Sequence, residues 1–233
     1  NKTIQELQLA IDSEVTIIID NLQELENIIH LNSKNKPVSI MIRLKPEIEA
    51  HTHEYIKTGQ LDSKFGIVKE DCCLLINLIK QYDWLDFRGI HCHIGSQIFD
   101  TKPYFQLINI MVPFIADLCK QLDVVVKEFN CGGGMGIFYS SGDTPFDISD
   151  FLEKFCDYFK LQCERYNIKL PTLLFEPGRS IIGSAGMTLY TVGAVKEIKD
   201  LKTYVFVDGG MADNPRPIMY RSEYTYDKIL NSG

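Results

Sequence analysis

The chain has 233 residues, of which 45% are hydrophobic and 24% charged, and it carries a formal net charge of −7. Such a composition suits a soluble globular protein of one large or two small domains, and it excludes a fibrous repeat or a disordered tail. The acidic balance argues against a nucleic-acid partner, because phosphate backbones attract basic faces, and the best apolar run, Val15 to Ile19, is cut off by Asp20 long before it could span a membrane.

Seven cysteines (Cys72, Cys73, Cys92, Cys119, Cys131, Cys156 and Cys163) are an odd number, and no CxxC pair occurs among them. Reduced thiols and a cytoplasmic setting are expected. The opening Asn1-Lys2-Thr3 has no initiator Met, no basic leader and no signal core, so the chain reads as a segment of something longer.

Apolar runs of strand length alternate with amphipathic stretches of helix length, the pattern of consecutive β/α units around a parallel sheet. Strands are predicted at 15–20, 38–44, 87–94, 124–130 and 172–176, with helices near 21–31, 70–81, 102–122 and 147–166. The strands are short and rich in Val, Ile and Phe, as burial on both faces requires. The loop from Lys45 to Phe65 is long for such a fold, and loops of that length are more often functional than decorative. After Gly183 the helices stop, and LYTVGAVKEI and TYVFVDGG read as strands of an antiparallel region beginning near residue 185.

In parallel α/β barrels the chemistry lies at the C-terminal ends of the strands. Here those ends read HCHIGSQ, NCGGGMG and EPGRS. A single glycine turn would be a tight connection as readily as a ligand site; three in consecutive units point to a phosphate-bearing ligand, with Gly132, Gly133 and Gly134 as its cradle. A dinucleotide fingerprint is the competing reading, but GGGMG lacks the GxGxxG spacing. His91 and His93 lie two apart on a strand and face the same way, with Cys92 toward the helices. They admit a metal pair, an imidazole stacked on a flat cofactor, or satisfied core histidines; His51 and His53, in the long loop, read as solvated. Glu176 closes the strand LLFE three residues before Arg179. The two form either a structural ion pair, or a division of labour in which Glu176 meets a cationic ring nitrogen and Arg179 a phosphate or carboxylate.

Taken together, RLKPEIEAHTHEYIKTG, DSKFGI, GIHCHIGSQI, CGGGMGI, EPGRSIIGSAG and VDGGMADNPRPIMY closely resemble the diaminopimelate decarboxylases, pyridoxal-phosphate enzymes of the alanine-racemase-like barrel fold, over nearly the whole chain. EPGR and HIGS alone would also fit the related ornithine and arginine decarboxylases. The resemblance implies an α/β fold: residues 1–184 as a partial (β/α)8 TIM-type barrel, about its last five units, and residues 185–233 as the start of a C-terminal β domain. It implies pyridoxal 5'-phosphate as cofactor, with His93 stacked on the ring, Ser96 and Gly132 to Gly134 at the phosphate, and Gly178 and Arg179 beside them. Glu176 would pair with the pyridine nitrogen, and Arg179, Arg216 and Tyr220 would bind an amino-acid substrate.

The implied reaction of the intact protein is decarboxylation of meso-2,6-diaminopimelate to L-lysine. The closest alternative is a decarboxylase of ornithine, arginine or carboxynorspermidine. Arg216 favours diaminopimelate, whose distal carboxylate suits a guanidinium fork. A metal-dependent hydrolase using His91 and His93, and a non-catalytic cofactor carrier, are the readings from other classes. The family's cofactor-binding lysine, in a motif similar to YAxKAN, has no counterpart here, so the segment alone is expected to be inactive. A Cys-Glu pair that the family contributes across a homodimer interface, where active sites are shared, would lie beyond Gly233.

Overall fold

The computed structural model describes residues 1–46, 48 and 64–229. Five strands, β1 (Ile17–Ile19), β2 (Val38–Leu44), β3 (Leu85–Cys92), β4 (Glu128–Asn130) and β5 (Thr172–Leu174), form one parallel sheet in chain order. Helices α1 (Ile4–Asp12), α2 (Leu22–Leu31), α3 (Lys69–Ile79), α4 (Lys102–Leu122) and α5 (Ile148–Arg165) precede or connect them. This is the expected run of β/α units, an arc of a TIM-type barrel.

The strand sequences explain their burial. In β2, Ile40, Ile42 and Leu44 join the core on the helix side while Met41 is buried on the opposite face, so the centre of the strand is apolar on both faces. Helix α4 buries Tyr104, Leu107, Ile108, Met111, Val112, Ile115 and Leu118, spaced three and four apart. Helix α5 sends Phe151, Phe155 and Phe159 to the same core. Phe175, just past β5, packs edge-on against Phe151 and Phe155. Helix starts carry the side chains that orphaned N–H groups need. Thr3 forms a reciprocal capping box with Glu6, Asn21 accepts from the Glu24 N–H, and Asp147 from the Asp150 N–H.

Several expected boundaries shift. The 15–20 strand shortens to β1, and the 124–130 strand to its last three residues, since only Glu128, Phe129 and Asn130 pair with both neighbours. Strand β3 starts two residues early and ends at Cys92, leaving His93 in the following loop. Helix α1 was not anticipated. Most of the Lys45–Phe65 loop, with His51 and His53, lies outside the described residues.

Beyond β5 come a short helix α6 (Gly178–Ile182), an antiparallel pair β6 (Val192–Ile198) and β7 (Lys202–Val207), and a single turn α7 (Arg216–Tyr220). The switch from parallel to antiparallel pairing follows the sequence pattern. Val195, Val205 and Phe206 of this pair are exposed.

Candidate active site

Register sets the floor of the site. Arg43 on β2 lies opposite His91 on β3, His91 opposite Asn130 on β4, and Asn130 opposite Leu174 on β5, one row across the C-terminal ends of the strands. Side chains alternate along a strand, so the buried neighbours show which way each polar group points. Cys92 and Phe129 belong to the helix-side core, and Phe129 stacks on Phe159 of α5. His91, His93 and Asn130 therefore face the barrel interior. Phe175 packs on α5, which turns Glu176 inward beside them.

The Glu176 side chain is 46% exposed, so it is not the buried carboxylate that its place after LLF suggests: β5 ends at Leu174, and Glu176 reaches past the strand into the open end of the sheet. Both its oxygens are held. Asn130 Nδ2 donates to Oε1 at 2.9 Å, and His91 Nε2 stands 3.4 Å from Oε2. The His91 hydrogen bond is the main influence holding the Glu176 carboxyl below the usual range, against partial burial, with Asn130 adding to it. The Asn130 amide is oriented from both sides, because its Oδ1 accepts from the Gly132 N–H at 2.9 Å.

His93 accepts at Nδ1 from the Gly133 N–H at 3.3 Å. Burial, reinforced by the nearby charges of Arg43 and His91, pushes its pKa down to about 4. The ring is therefore neutral near pH 7.

The glycine turn after β4 is tight against its surroundings. A Cβ on Gly133 would sit 2.0 Å from the Glu176 carbonyl oxygen, and one on Gly132, whose φ is +70°, would meet the Cys92 carbonyl at 2.5 Å. Only glycine lets the three strand-end loops approach this closely. Gly134 continues the turn, its carbonyl accepting from the Ile98 N–H. Tyr104, fully buried on α4, donates its hydroxyl to the Gly133 carbonyl at 3.1 Å. Two N–H groups expected to face a ligand, those of Gly132 and Gly133, are engaged by Asn130 and His93.

Arg179 and Glu176 do not pair, which removes the simple ion-pair reading. The Arg179 guanidinium instead donates to Ser96 Oγ at 3.1 Å and to the Tyr139 hydroxyl at 3.2 Å, lying over the Tyr139 ring. Gly178 follows at the start of α6, its N–H on the Glu176 carbonyl. Ser96 and Arg179 thus form a polar corner next to the glycine turn.

Arg216 sits at the start of α7, its guanidinium over the Tyr220 ring at 5.5 Å and donating to Ser222 Oγ. Among the described residues its Nε is buried without a hydrogen-bond partner, and no hydrogen bond or ion pair joins it to Glu176 or Arg179. The structure brings His93, Ser96, Gly132, Gly133, Gly134, Glu176, Gly178 and Arg179 together, and it places the Arg216 guanidinium over the Tyr220 ring. Asn130, Tyr139 and Tyr104 were missed; Asn130, the last residue of its strand before three glycines, was readable by the strand-end rule. The metal reading of His91 and His93 gains no support, since no cluster of three or more potential ligands occurs among the described residues.

Comparison with known proteins adds relatives. Residues 1–183 match the family described as pyridoxal-dependent decarboxylase, pyridoxal binding domain. The chain is 46% identical over 226 residues to a diaminopimelate decarboxylase of Synechocystis sp., covering 96% of this chain and 48% of that protein. It is 38% identical over 228 residues to one from Bacillus subtilis, covering 96% and 52%. The chain thus spans about half the length of the curated relatives it matches. Among solved structures it is similar to diaminopimelate decarboxylase from Helicobacter pylori complexed with L-lysine, with a TM-score of 0.83 at 27% identity over 97% of this chain and 55% of that one. The enzyme from M. jannaschii, also with L-lysine, gives 0.81 at 28%, covering 97% and 52%.

Proposed function

The chain belongs to the pyridoxal-dependent decarboxylase family, and on that premise we propose that the whole protein converts meso-2,6-diaminopimelate to L-lysine and CO2 with pyridoxal 5'-phosphate as cofactor. Residues 1–184 would supply the cofactor-binding part of a barrel, and residues 185–233 the opening of a β domain. The observation that carries the reading is Glu176, a carboxylate gripped on both oxygens at the open end of a parallel sheet, beside a glycine turn too tight for any Cβ.

The residues present fit the cofactor. Ser96 and the Arg179 guanidinium form a polar corner beside the glycine turn, suited to a phosphate. His93, neutral and interior-facing, offers a flat ring to stack on another. Glu176, held ionised by two donors, would pair with the cofactor's ring nitrogen. Bound pyridoxal phosphate supplies an electron sink for the charge left when CO2 departs. Glu176 would serve that sink by keeping the ring nitrogen protonated.

Arg216 is the residue for the substrate's far end. Its unpartnered buried Nε leaves hydrogen-bonding capacity that a carboxylate would satisfy, and Tyr220 underlies the guanidinium plane. The cofactor-binding lysine would come from outside residues 1–233. We further propose a homodimer with shared sites, supported by the exposed apolar side chains of β6 and β7, and a cytoplasmic setting, supported by seven free thiols.

The test is CO2 release from diaminopimelate by the full-length protein. Release should require added pyridoxal phosphate, and Glu176→Gln should keep cofactor bound while kcat falls, because the interaction it removes is strongest in the transition state. An unchanged kcat at saturating substrate would contradict the role given to Glu176.

A further inference from the structure

His91 is an expensive residue to place where it is. The side chain is nearly fully buried, yet among the described residues its Nδ1 has no hydrogen-bond partner. Burying a bare ring nitrogen costs stability, and an apolar side chain of similar bulk would avoid the cost. The nitrogen that does have a partner faces Glu176 Oε2 at 3.4 Å. An ionised carboxylate can only accept, so Nε2 carries the hydrogen, and Nδ1 is the ring nitrogen left without a partner. On the other side of the carboxylate, Asn130 is locked by the same logic: its Nδ2 must face Glu176 because its Oδ1 is already taken by the Gly132 N–H.

Backbone pairing keeps the two donors in place. His91 and Asn130 are opposite residues of β3 and β4, so the spacing between them is set by the sheet rather than by flexible side chains. The carboxylate they hold stands two residues past the end of β5, where the backbone N–H of Glu176 bonds the Gly132 carbonyl and the side chain is left to His91 and Asn130.

We infer that His91 is a positioning residue: through its Nε2–H it holds the Glu176 carboxylate in the plane and direction needed to meet the ring nitrogen of bound pyridoxal phosphate. The inference rests on the cofactor reading above and adds to it a residue that acts through Glu176. It also accounts for the histidine at the first position of the HCH string, which neither stacking nor metal binding explains.

The experiment is a double-mutant cycle on the full-length protein, read as the dissociation constant for pyridoxal phosphate with the cofactor-free protein and not as activity. His91→Leu keeps bulk and loses the donor, His91→Gln keeps an N–H donor, and each is made alone and with Glu176→Ala. If His91→Leu does not fold, His91→Met replaces it. In the Glu176 protein the leucine variant should weaken binding about tenfold, the equivalent of one hydrogen bond to a charged group. The glutamine variant should stay within about threefold of wild type. With Glu176→Ala already present, losing the His91 donor should change the constant by less than about twofold, since the carboxylate it acts through is gone. Equal weakening in both backgrounds, or no rescue by glutamine, overturns the inference and leaves the cofactor reading standing. A wild-type protein that binds no pyridoxal phosphate overturns both.

Discussion

His93 couples the site to pH in a way that can be measured on the fold itself. An unfolded chain protonates this histidine near its ordinary 6.5, whereas in the folded protein the pKa is pushed down to about 4, first by burial and then by Arg43 and His91. Between those values the unfolded state binds the extra proton, so the contribution runs against folding as pH falls through that window. Above 6.5 both states hold a neutral ring and the contribution vanishes. The full penalty is about 3 kcal/mol at the acid end. Urea midpoints of the full-length protein taken from pH 7 to pH 4 should therefore fall less in His93→Phe than in wild type; parallel curves would show that the ring is not desolvated as described. His93, Ser96, Glu176 and Arg179 were legible because each stands in a short string where a strand ends in a glycine turn. Their partners were not. That Arg179 meets Ser96 and Tyr139 rather than Glu176 depends on how three loops fold over the sheet, and no spacing within EPGRS encodes it.

At the scale of elements, the glycine turn after β4 is the joint on which the strand-end loops converge. Gly133→Ala would drive a methyl to 2.0 Å from the Glu176 carbonyl, a backbone atom that cannot step aside without moving the chain after β5. A loss of about 2–4 kcal/mol is expected, together with weaker cofactor binding. Gly142→Ala is the control, because nothing lies within 4 Å of a Cβ there, and its effect should stay within about 1 kcal/mol of neutral. Thermal melts of the two variants decide the matter, and equal melting temperatures would contradict the tight-joint account. The same scale shows what periodicity can reveal. Strand β2 and helix α4 were readable to the residue because long apolar patterns with clean ends bound them. Helix α1 escaped notice because it buries only Leu7 and Ile11, too few to write a face into the sequence. The stretch from Val124 to Lys127 looks like strand by composition, but strands are defined by partners, and β4 pairs only from Glu128 onward.

For the molecule as a whole, the central claim is that a diaminopimelate-specific decarboxylase is built around this site. The fold class was legible in the alternation of strand and helix stretches, and three strings at the strand ends marked the candidate site, while the substrate's far end rests on Arg216, whose guanidinium lies over Tyr220 and donates to Ser222. The most direct measurement is kcat/KM of the full-length protein for diaminopimelate and for ornithine, which lacks the distal carboxylate, in wild type and in Arg216→Ala. Leaving a buried carboxylate unpaired typically costs about 2–5 kcal/mol, so the value for diaminopimelate should fall by about 30-fold to several thousand-fold. Ornithine turnover, slow in both proteins, should hardly change. If wild type prefers ornithine, or if Arg216→Ala leaves diaminopimelate turnover intact or lowers both substrates alike, the substrate assignment is wrong.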